Sequence, residues 1–94
     1  MNHNLYKVTA VKVVSPFHLE ISFDDGIKKT IDFTTILKGE MYGPLASEDY
    51  FNKVYLDPEV HTIAWPNGAD FDPEILHNWE IYKDELIKRS EMWV

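Results

Sequence analysis

Between residues 17 and 33 two alternating apolar runs flank a short polar break, and this pattern restricts the fold more than any other stretch of the chain. Phe17, Leu19, Ile21 and Phe23 lie on one face of the first run. Ile27, Ile31 and Phe33 lie on one face of the second, with Lys29 among them. A two-residue Asp25-Gly26 loop would pair Phe23 with Lys28 and Leu19 with Asp32, sending the two apolar faces to opposite sides of the sheet. A three-residue loop, with Asp24 and Asp25 in a type I turn and Gly26 left-handed in a bulge, instead pairs Phe23 with Ile27, Leu19 with Ile31 and Phe17 with Phe33. All six side chains then share one buried face, so the segment is predicted to be an antiparallel hairpin with the longer loop.

The flanking segments extend this sheet. Leu5 to Val14 is rich in Val and Thr and apolar on both parities, which predicts a strand that is central or covered on both sides. After Asp32, Thr34 or Thr35 is positioned to cap a short helical turn that Gly39 ends. Ser47 is positioned to cap a short helix carrying Glu48 and Asp49 in its first turn and burying Tyr50, Phe51 and Val54. Val54 to Leu56 and His61 to Trp65 read as strands around a Pro58 turn, and Trp65-Pro66-Asn67-Gly68 reads as a second reversal. Asp72 as N-cap, Pro73 and the helical spacing of Ile75, Leu76, Trp79, Tyr82, Leu86 and Ile87 predict an amphipathic helix from about 73 to 90. The expected fold class is α+β: a small antiparallel sheet with hairpins, one short helix, and one long C-terminal amphipathic helix packed on it.

With 94 residues, one domain covering 1–94 is expected, and a chain this small buries only about 60 to 65% of its unfolded surface. A deep internal substrate cavity is hard to sustain at that size. There are no cysteines, which removes disulfides, thiolate catalysis and thiolate metal sites. Nine basic against sixteen acidic residues give a net charge of -7. The stretch from Glu48 to Glu85 holds ten acids against Lys53 and Lys83, or -8, leaving the remainder near neutral at +1. Such a field repels polyanions, so no direct nucleic-acid partner is expected, and a charge-driven protein partner would be basic. The N-terminus lacks a basic start followed by an apolar run, and no stretch approaches a membrane span. A cytoplasmic location without membrane contact is therefore expected.

Several of these segments together resemble a known family. They are Leu19-Glu20-Ile21-Ser22-Phe23-Asp24-Asp25-Gly26 followed by Ile31-Asp32-Phe33, Gly43-Pro44-Leu45, Tyr50-Phe51-Asn52-Lys53-Val54, and the run from Ile63 to Leu76. The resemblance, over roughly Tyr6 to Leu76, is to the small bacterial domain of unknown function 2442. Trp65-Pro66-Asn67-Gly68 leading to Asp70 and Pro73-Glu74 is its most specific part. The resemblance implies an α+β fold, seen in some proteins ahead of a helix-turn-helix DNA-binding half, and members encoded beside another small protein in the manner of toxin-antitoxin pairs. It supplies no catalytic residues. The sequence runs about one long helix past the motif, so a DNA-binding half and direct operator binding are not expected of it.

Two groups of side chains are candidates for a site. Asp70, Asp72, Glu74 and His77 have the chemistry for a hard cation or for acid-base work, although the spacing is not that of a calcium loop and capping already accounts for Asp72 and Glu74. Trp65 and Asn67 form the other group. Trp suits an interface anchor, but a core Trp65 beside a turn at Asn67-Gly68 accounts for the pattern equally simply and is the preferred reading. Trp79 falls on the apolar stripe and is expected in the core, while Trp93 at the end is either unstructured or docked on a partner. His3, His18, His61 and His77 form no paired metal motif, and no nucleophile elbow or phosphate-cradling loop occurs. No metal or cofactor is expected.

The function expected from these features is a non-enzymatic interaction or regulatory module, the acidic partner of a basic neighbour. The rivals are a metal- or carboxylate-dependent enzyme at residues 70–77 and a ligand-sensing domain with an apolar pocket between sheet and helix. Edge strands in so small a sheet also leave a homodimer open.

Overall fold

In the structure, a computed structural model that describes residues 6–92, the predicted hairpin forms in the predicted register. Strand β2 (His18–Phe23) lies between β1 (Val8–Ser15) and β3 (Lys28–Asp32). Leu19 pairs with Ile31. At the closed end Phe23 donates its N–H to Ile27 O at 2.9 Å, and at the open end Phe33 donates to Phe17 O at 2.9 Å. The loop has Gly26 at φ 89°, with its N–H on Phe23 O at 3.0 Å. Leu19, Ile21, Phe23, Ile31 and Phe33 are buried, whereas Phe17 is half-buried and Ile27, beside the turn, is exposed. The shared face is thus one residue shorter at the turn than the pattern predicts.

Strand β1 is at the edge of this sheet, not its centre. The registers explain why its apolar residues occupy both parities. Val8 pairs with Phe23 but Ala10 with Ser22, and Val13 pairs with Leu19 but Ser15 with His18, so Thr9 and Val14 are extra residues. Each bulge switches the inward parity. Val8, then Val11 and Val13, pack toward the core, while Val14 faces solvent. Two irregularities thus mimic a strand buried on both faces.

A short 3-10 turn, Thr34–Ile36, follows β3. Its orphan donors are met by Asp32, whose Oδ1 accepts from the Thr34 N–H at 2.9 Å and the Thr34 hydroxyl at 2.7 Å. Asp is the stronger acceptor, so Thr34 is capped instead of capping. Gly39, at φ 84°, begins helix α1 (Gly39–Tyr42) and does not end the preceding turn. A second 3-10 turn, Gly43–Ala46, leads to α2 (Glu48–Phe51), where Ser47 is the boundary residue but its hydroxyl makes no capping bond. Strands β4 (Tyr55–Asp57) and β5 (Thr62–Ala64) form a separate two-stranded sheet.

The predicted helix over 73–90 is two helices, α3 (Pro73–His77) and α4 (Trp79–Ser90), separated at Asn78 with φ -113° and ψ 40°. Asn competes with helix hydrogen bonding and favours such junctions. Leu76 and Trp79, on either side of the break, both enter the core, while His77 turns to the β2–β3 loop.

Phe33 is the hub of the core. Its ring lies 5.8 Å from Phe51, 6.4 Å from Trp65, 5.3 Å from Phe71 and 5.2 Å from Trp79, centroid to centroid, in tilted or edge-on geometry. One residue therefore ties the three-stranded sheet to α2, β5, the loop before α3, and α4. The interior between sheet and helices is filled by these rings together with Leu19, Ile31, Ile36 and Leu45. No described buried side-chain polar atom lacks a partner.

Candidate functional site

The turn at Trp65 repeats the geometry of the β2–β3 loop. Gly68 (φ 92°) donates to Trp65 O at 2.9 Å and Trp65 donates to Ala69 O at 2.9 Å, as Gly26 and Phe23 do in the first turn. Asn67 Oδ1 accepts from the Ala69 N–H at 3.0 Å, as Asp25 Oδ1 accepts from Ile27 at 3.0 Å. One solution, an Asx residue followed by a left-handed glycine, is used twice. Asn67 Nδ2 also donates to Met41 O at 2.9 Å, pinning the turn to α1. Trp65 is fully buried, and its indole N–H donates to Phe51 O at 2.9 Å. Trp65 is thus committed inside the fold and Trp79 is likewise buried, whereas Asn67 is exposed with its side chain bonded within the turn and to α1. Trp93 and His3 lie outside the described residues.

The acidic and His residues of 70–77 are separately engaged. Asp72 Oδ1 caps α3 through the Glu74 N–H at 2.8 Å. Glu74 Oε2 accepts from the Tyr82 hydroxyl at 2.9 Å, a bond that raises the pKa of that phenol. Asp70 is exposed; its backbone pairs with Ala64, and its carbonyl accepts from the Tyr42 hydroxyl at 2.9 Å. Burial, and then the Asp70 charge, raise the pKa of Tyr42. His77 points away from these carboxylates. Among the described residues no group of three or more His, Asp or Glu is arranged to hold a metal ion.

What His77 does instead was not visible in sequence. Its Nε2 is 2.8 Å from Asp25 Oδ2, its ring stacks on Tyr6 at 3.8 Å and 12°, and the edge of Phe23 meets it at 4.8 Å. The Ile27 N–H first, and then His77, hold the Asp25 carboxyl below its usual range. At the opposite end of the hairpin burial works to raise the pKa of Asp32, but the Thr34 donors and then His18, whose Nε2 is 3.6 Å from Oδ2, outweigh it and the net shift is downward. No local signal joins residues 25 and 77, whereas the Asp32-x-Thr34 spacing is an Asx pattern that sequence reading could have found.

Among the described residues the surface carries clefts open to solvent. One of about 400 Å³ is lined by Lys38, Gly39, Glu40, Met41 and Tyr42. Two more, of about 270 and 200 Å³, adjoin at Val60, Asp72 and Pro73. The second half of the chain presents its acids outward. Glu48, Asp49, Glu59, Asp70, Asp72, Glu80, Asp84 and Glu85 are exposed, with Asp57 and Glu74 half-buried. Of these, Glu80 alone is ion-paired among the described residues, to Lys29 Nζ at 2.7 Å. No helix of the described residues is long and apolar enough to cross a membrane.

These features define a small α+β domain with an aromatic core, two antiparallel sheets and an acidic outer surface. The chain belongs to the family described as Protein of unknown function (DUF2442), whose model matches residues 8–82. That match takes in every strand, α1 to α3 and the first part of α4. No curated protein and no solved structure matches the chain significantly.

Proposed function

We propose that this domain is a protein-protein interaction module that presents its acidic second half to a basic partner protein. The observation that carries the reading is the outward display of eight carboxylates between Glu48 and Glu85, seven of them without an ion-pair partner among the described residues. Unpaired surface carboxylates of one sign lower stability slightly through mutual repulsion and gain their value when an opposite surface meets them. The separation of Asp72, Glu74 and His77 onto different partners favours this reading over a shared reactive centre at 70–77. A core filled by aromatic rings favours it over a ligand pocket between sheet and helix.

The test is affinity capture with the tagged chain from its native host, followed by calorimetric titration of the recovered protein at about 50 mM and about 300 mM salt. A basic partner whose affinity falls at least about tenfold between the two conditions is expected. Recovery of no specific partner, or of one whose binding ignores salt, overturns the proposal.

A further inference from the structure

We propose that the groove running past Val60, Asp72 and Pro73 receives an extended segment of a partner protein through an arginine or lysine side chain. The inference rests on the interaction-module reading and adds to it a location and an orientation. The 270 and 200 Å³ clefts share those three residues and so form one continuous surface beside the start of α3. Val60, at the tip of the β4–β5 loop, is 56% exposed, and with Pro73 it supplies apolar surface for an aliphatic stem.

Asp70 stands at one end of the groove and Asp72 at its middle, where the two clefts meet. Asp72 spends Oδ1 on the helix cap, leaving Oδ2, and the Asp70 carboxylate makes no hydrogen bond or ion pair among the described residues. An aliphatic stem ending in a cation matches apolar surface that leads to carboxylates. Lys7 and His61 line the other end. The Lys7 ammonium disfavours a second cation there, so the groove selects a segment with a direction, basic at the Asp70 end and neutral or acidic at the Lys7 end, over a uniform polycation.

The experiment titrates the isotopically labelled chain with a blocked octapeptide whose first half alternates arginine and leucine and whose second half alternates serine and leucine, using the peptide with glutamate in place of arginine as control, and follows backbone amide shifts. Shifts centred on Val60, His61, Asp70 and Asp72 are expected with the arginine peptide only. Asp70→Lys should weaken binding about tenfold and Val60→Ser about threefold, while Asp84→Lys on the outer face of α4 changes it less than about twofold. Asp70 and Val60 are both exposed, so the variants should keep the wild-type melting temperature, which is checked first. Shifts centred on α4, equal losses for Asp70→Lys and Asp84→Lys, or no binding overturn the groove. The wider reading falls separately, if affinity capture recovers no specific partner or one whose affinity is insensitive to salt.

Discussion

His77 Nε2 and Asp25 Oδ2 lie 2.8 Å apart across 52 residues of chain, joining the β2–β3 loop to the junction of α3 and α4. Tyr6 covers one face of the imidazole and Phe23 meets it edge-on, leaving the His77 side chain 14% exposed. The same Asp25 supports its own turn through Oδ1 and Ile27. Turn formation and helix docking are therefore coupled through one carboxylate.

That coupling sets the acid response. Asp25, Asp32 and Glu80 all titrate below their ordinary values, so on acidification the unfolded chain takes up protons first. Their contribution is present above the unfolded carboxylate range and disappears as pH falls through the lower folded values. Melting temperature is expected to decline below about pH 4, and Asp25→Asn to decline less steeply than wild type, as read by thermal scans across pH. A slope unchanged in Asp25→Asn would remove Asp25 from this account.

At alkaline pH the sign reverses. The Tyr82 phenol is raised chiefly by its bond to Glu74, so the unfolded chain releases its proton first and stability is lost as pH rises above about 10. Tyr82→Phe should flatten the alkaline limb of the same scan.

The buried Trp65 combines ring burial with one directed hydrogen bond. Trp65→Phe removes the indole donor from Phe51 O, which keeps the longer bond from the Val54 N–H at 3.2 Å, and opens space beside Phe33; it is expected to cost about 1 to 3 kcal/mol in urea unfolding. A loss below about 1 kcal/mol would mean that the neighbouring rings collapse into the gap.

Gly26 and Gly68 sit at φ 89° and 92°, and an added Cβ at either would meet nothing within 4 Å. Any cost of Gly26→Ala or Gly68→Ala is then backbone strain, about 1 to 2 kcal/mol each, and the asparagine variants should cost less because Asn tolerates the left-handed region. Chemical denaturation of the four variants distinguishes strain from crowding.

Lys29 faces inward beside Ile21 and reaches Glu80, a pair whose acid is 71% exposed. Such a pair contributes under about 1 kcal/mol, while the buried stem contributes through packing. Lys29→Met should therefore stay within about 1 kcal/mol of wild type in stability, with Lys29→Ala clearly lower.

What the sequence by itself determined was whatever depends on neighbours along the chain. The alternation of Phe17 to Phe33 admits one hairpin register because a shift by one residue exposes a whole face. Gly26 and Gly68 mark left-handed turns, and Asp72-Pro73-Glu74 marks a helix start, because each is a local conformational preference that packing had no reason to oppose. Tertiary structure decided what depends on partners remote in the chain. Strand β1 lies at an edge with its inward parity switched by bulges at Thr9 and Val14, Asn78 divides the last helix, and His77 leaves the acidic residues nearest it in sequence for Asp25. These outcomes follow from which surfaces must fill the space around Phe33 and which polar atoms must find partners, and no local spacing encodes either.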